Sequence, residues 1–66
     1  MKIFFYNTTI INLADLSFIK CIEVSTKTTA IHFHMKTKGE VAIITVPTKE
    51  VSNLLNQCYE IMKEED

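Results

Sequence analysis

The sequence predicts an α+β fold: a four-stranded antiparallel sheet, a β-meander, followed by one C-terminal amphipathic helix. Three observations predict it. Runs of β-branched and aromatic residues recur between residues 2 and 46, separated by short polar clusters. In the third run apolar and polar residues alternate strictly. Past Pro47, the single proline, the apolar residues switch to a helical period.

The first strand spans about 2–11. Lys2-Ile3-Phe4-Phe5-Tyr6 opens it, and Thr9-Ile10-Ile11-Asn12 continues it after a kink or forms a separate short strand. Asn12 to Leu16 carries turn formers at both ends and reads as a turn or half-helix. Residues 17–25 are rich enough in β-branched and aromatic types for a long second strand. Thr26-Lys27-Thr28 is the expected hairpin turn. In the third strand, 29–36, Ile31, Phe33 and Met35 face one way and Ala30, His32, His34 and Lys36 the other. Thr37-Lys38-Gly39 is a short loop in which Gly39 supplies a positive φ. Residues 40–46 form a fourth strand, apolar on both faces.

Pro47-Thr48 ends the sheet and opens a helix over about 48–63. Thr48 is the expected N-cap, with Glu50 in the first turn, where the helix dipole favours an anion. Val51, Leu54, Leu55, Cys58, Tyr59 and Met62 form the apolar stripe. Glu64-Glu65-Asp66 is expected to be a mobile tail, since it places anions at the end where the dipole disfavours them.

Composition narrows the function. The 66 residues are 47% hydrophobic, too apolar for a disordered chain, and residues 1–66 read as a single domain without linker or repeat. Seven lysines and no arginine stand against eight acids, for a net charge of −1. That leaves no basic surplus for a phosphate backbone, so nucleic acid is not an expected partner. No apolar run approaches the ~20 residues of a membrane span. Met1-Lys2 and the apolar residues after it start like an export signal, but Asn7-Thr8-Thr9 interrupts them and no cleavage pattern follows. A cytoplasmic location with reduced thiols is therefore expected, and Cys21 and Cys58 fit neither a disulfide framework nor a zinc pattern.

Geometry adds a partner. Four strands make a sheet ~19 Å wide, whereas one helix covers a band of only ~10 Å. The second and fourth strands supply apolar residues to both faces. One helix cannot bury both, and the commonest solution is a symmetric homodimer or a higher homo-oligomer. The alternative is a sheet curled strongly around itself.

The candidate chemistry is sparse. His32-x-His34 sets two imidazoles on one side of a strand, ~7 Å apart at the backbone. A metal needs further ligands from Asp15, Cys21, Glu23 or Glu40, and no spacing selects among these, so no metal or other cofactor is expected. Lys20, His32, His34 and Lys36 cluster if the second and third strands pair, and Tyr6 adds an aromatic platform. This set is the expected ligand site, suited to a phosphorylated small molecule. The simpler reading is a solvated sheet face. Cys21 and Cys58 read as core residues rather than nucleophiles, and Asp15 as a local backbone cap. One glycine excludes a P-loop and the other glycine-rich catalytic motifs. An enzyme is not expected.

Ile11-Asn12-Leu13-Ala14-Asp15-Leu16-Ser17-Phe18-Ile19, a charged hairpin, the Lys38-Gly39 turn and Thr48-Lys49-Glu50-Val51 opening a helix together resemble FlbD-type flagellar accessory proteins over about residues 9–62. In size, composition and architecture the chain also resembles small phage and mobile-element proteins, including anti-defence proteins. That second resemblance implies a homo-oligomer that sequesters a nucleotide-type immune signal or blocks a host protein. The expected function is therefore a non-enzymatic, phage-encoded homo-oligomeric binding protein that sequesters such a signal. The alternative is a protein–protein inhibitor or adaptor.

Overall fold

A computed structural model of the chain describes residues 2–64. The fold is α+β, with two antiparallel sheets and one C-terminal helix. The elements are β1 (Ile3–Tyr6), β2 (Thr9–Asn12), a 3-10 turn at Leu13–Asp15, β3 (Leu16–Glu23), β4 (Thr28–Met35), β5 (Val41–Pro47), a 3-10 turn at Thr48–Glu50 and α1 (Val51–Met62).

The four-stranded sheet expected from the sequence is replaced by a two-stranded sheet, β1-β2, and a three-stranded sheet in the order β3-β4-β5. The run 2–11 is not one strand. Asn7 sits at φ 53°, a left-handed conformation that asparagine tolerates better than most residues. With Thr8 it makes a two-residue turn that pairs Tyr6 with Thr9 and Phe4 with Ile11. The later strands run close to expectation, each displaced by a residue or two, whereas the α-helix expected from about residue 48 begins at Val51 after a 3-10 turn. Gly39 takes a positive φ of 63° as expected, and Lys38 joins it at 64°.

The turn at Leu13–Asp15 is capped by the Asn12 side chain, which accepts from the Ala14 amide at 3.1 Å. Asp15 is not a local cap. Its carboxylate accepts from the Thr37 amide and, at 2.8 Å, from the Thr37 hydroxyl, so it ties the entry of β3 to the β4–β5 loop. Thr48 is not a helix cap either. Neither helical turn after Pro47 has a side-chain cap, and the Thr48 hydroxyl pairs with that of Thr29 at 2.8 Å.

The core lies between one face of the three-stranded sheet and a second layer made by the β1-β2 hairpin together with α1. Ile31, Phe33, Ile44 and Val46 come from the sheet, Phe4 and Ile11 from the hairpin, Leu54 and Cys58 from the helix, and Leu13 and Leu16 from the chain linking hairpin to sheet. Phe4 meets Phe33 at 6.1 Å between ring centroids. The helix stripe is narrower than expected. Leu54 and Cys58 are buried and Val51 and Ile61 pack at the margin, whereas Tyr59 is exposed and lies beneath the Lys63 ammonium, 5.4 Å from its ring centroid. Of the expected mobile tail, Glu65 and Asp66 lie outside the described residues. No helix among the described residues is long and apolar enough to cross a membrane.

Candidate functional site

The second face of the three-stranded sheet is where chemistry collects. A register shift between Leu16 and Phe18 creates it. Leu16 pairs with Met35 on the core side, but Phe18, two residues on, pairs with His34 on the opposite side. From there alternation carries Phe18, Lys20 and Ile22 onto the same face. The ladder then sets three rows across the sheet: Phe18, His34 and Val41; Lys20, His32 and Ile43; Ile22, Ala30 and Thr45.

Of the five residues expected to bind a ligand, three meet here. Lys20 lies directly opposite His32, and His34 is one row away, its ring 6.3 Å from that of His32. Phe18, which the sequence reading did not include in the site, stacks on His34 at 4.2 Å with the planes 12° apart. The Nε2 of His34 is buried and has no hydrogen-bond partner among the described residues. The signal that would have placed Phe18 was the bulge, which no residue type announces.

Tyr6 and Lys36 do not extend the cluster. Tyr6 sits on β1 and packs against the core, which lies on the far side of the sheet from His32 and His34. Lys36 follows the end of β4, where its amide donates to the Asp15 carbonyl at 2.8 Å, and its side chain is exposed.

Metal and thiol chemistry fit poorly. Cys21 pairs with Ile31 and so points to the core side, away from both imidazoles. Glu23 shares that parity, and Asp15 is engaged by Thr37. Among the described residues no three His, Cys, Asp or Glu side chains converge. Cys58 is the buried thiol, and burial pushes its pKa up to about 11, which keeps it protonated and unreactive at neutral pH.

A cleft of about 910 Å³ lies at the end of the sheet where the β3–β4 turn meets the β5–α1 junction. No expected site residue lines it. Lys27, Thr28, Thr48 and Lys49 do, and the sequence reading had assigned those segments only turn and capping roles. No family model matches the chain, and comparison with curated proteins and with solved structures finds no match.

Proposed function

We propose that this chain is a small, non-enzymatic binding protein that works as a homo-oligomer, self-associating through the open face of its three-stranded sheet. One observation carries this reading. Phe18, Ile22, Val24, Val41 and Ile43 are all exposed, and all but Val24 sit on the ladder rows of one face; Val24 follows at the end of β3. Nothing else in the described chain covers them, because both the hairpin and the helix are committed to the other side. A sheet face with this much uncovered apolar surface is the kind that a second copy covers by sheet-on-sheet packing.

The face measures about 14 by 26 Å from strand spacing and rise, roughly 360 Å² per copy, which is less than the ~800 Å² per partner of a standard stable interface. Association should therefore be reversible with dilution. Sedimentation across a concentration series tests this. The expected result is a multiple of 7.6 kDa that dissociates on dilution, and a monomer throughout for Ile43→Asp. A wild-type monomer at high concentration would overturn the reading.

A second reading draws on the Phe18–His34 stack with Lys20 opposite His32. An aromatic platform beside a cation suits a base and its phosphate; taken with the resemblance to small phage anti-defence proteins, we infer from it a phage-encoded, cytoplasmic protein that sequesters a nucleotide-type defence signal at paired faces. A host protein seated on the apolar rows is the adaptor form. Native mass spectrometry separates them: extra mass released on denaturation supports sequestration, and a stable heterocomplex supports the adaptor.

A further inference from the structure

The cleft at the end of the sheet belongs to neither the self-association rows nor the Lys20–His32–His34 cluster, and every charged residue that lines it is a lysine. Two lysines, Lys27 on the β3–β4 turn and Lys49 on the β5–α1 junction, line it from two separate segments of the chain. No carboxylate lines it, and neither lysine is ion-paired among the described residues. The hydroxyl-bearing residues Thr26, Thr28, Thr45 and Thr48 stand between them, and Val46 and Pro47 add apolar surface.

The two walls are fastened to each other. The Thr48 amide donates to the Lys27 carbonyl at 2.8 Å, and the Thr48 hydroxyl is paired to that of Thr29, also at 2.8 Å. Within the turn, the Lys27 amide donates to the Ser25 hydroxyl at 3.3 Å. The gap between the lysine backbones is therefore set by the fold before any ligand arrives, which lowers the ordering cost of binding. Its volume falls in the range of small-molecule sites.

We propose that this cleft binds a small phosphate-bearing molecule, with Lys27 and Lys49 on the phosphates, threonine hydroxyls as further donors, and the less polar part of the ligand against Val46 and Pro47. Lysine serves as the point-charge partner here because the chain has no arginine to offer a bidentate fork. The site is built from one chain alone, so it stands apart from the pairing of the open face.

The test is an amide chemical-shift titration of the full chain with ATP, pyrophosphate and uncharged adenosine at low salt. Saturable shifts are expected at Thr26, Lys27, Thr28, Thr48 and Lys49 with the two phosphate compounds, and none with adenosine. The double variant Lys27→Gln with Lys49→Gln should weaken ATP binding by about tenfold or more. Both lysines are exposed, so the variant should keep the wild-type spectrum elsewhere and report on binding rather than folding. Saturable shifts centred on Lys20, His32 and His34, or no saturable shifts with either phosphate compound, overturn the proposal. Sedimentation of the same samples reads the oligomeric state independently, so failure here and failure of self-association are separate outcomes.

Discussion

On the core side of the three-stranded sheet, Phe33 and Ile44 are 1% and 4% exposed; on the other side, Phe18 and Ile43 are 53% and 55% exposed. The residue types match, and both pairs belong to the one three-stranded sheet. Their difference comes from what lies above them. The hairpin carries Phe4 and Ile11 onto the first face, and the helix adds Leu54 and Cys58. The second face has no such layer. A short chain can build one complete interface between layers, and the flanking strands β3 and β5, which carry apolar residues on both sides, then leave the other half of their hydrophobic surface for a partner.

The widest contrast between the faces should come from truncation. Phe33→Ala is expected to cost about 3–5 kcal/mol, enough to unfold most of a domain this small, as read by urea denaturation. Phe18→Ala in dilute solution should cost under about 1.5 kcal/mol, chiefly the lost stack on His34. Equal losses at the two positions would mean that the open face is buried in the folded monomer.

Concentration sharpens the same contrast. If the open face pairs with a second copy, the thermal midpoint should rise with protein concentration, and Ile43→Asp should abolish that dependence. A midpoint independent of concentration in the wild type would contradict self-association.

Smaller effects probe the links between layers. Asp15→Ala removes the acceptor for both Thr37 donors and should cost about 1 kcal/mol, because the bonds are charge-assisted but exposed. Amide exchange in the β4–β5 loop should speed up accordingly.

The thiols report burial directly. Under native conditions the exposed Cys21 should react with a thiol reagent, while Cys58 should react only on unfolding. Because burial raises the Cys58 pKa from 9.0 to about 11, the unfolded thiol ionises first. Its contribution to stability is complete below about pH 9 and is lost as pH rises towards 11. In Cys58→Ala the alkaline decline should be shallower than in the wild type, whatever the change in stability at neutral pH.

Local patterning made much of the architecture legible. The strict alternation around His32 and His34 placed both imidazoles on one face, and the helical spacing after Pro47 placed Leu54 and Cys58 in the core. Even the surplus apolar face was readable, because strands apolar on both sides cannot be covered by one helix. Other features depended on contacts between distant segments. Tyr6 left the expected site because Asn7-Thr8 folds β1 back onto β2, and the hairpin then packs on the core. Phe18 entered it through the register shift after Leu16. Thr48 turned from a cap into a partner of Thr29, nineteen residues away.

By itself, then, the sequence determined which residues alternate, which spiral, where the chain turns at Gly39 and Pro47, and that its apolar surface exceeds what one helix hides. Those are consequences of side-chain chemistry at spacings of two to four residues. Tertiary structure alone decided that the sheet has three strands and the hairpin stands as a separate layer. It alone brought Lys27 and Lys49 to one cleft. The physical reason is range: strand partners and cleft walls are chosen by competition among whole packings, in which burial of Phe4, Phe33 and Cys58 together outweighs any local preference.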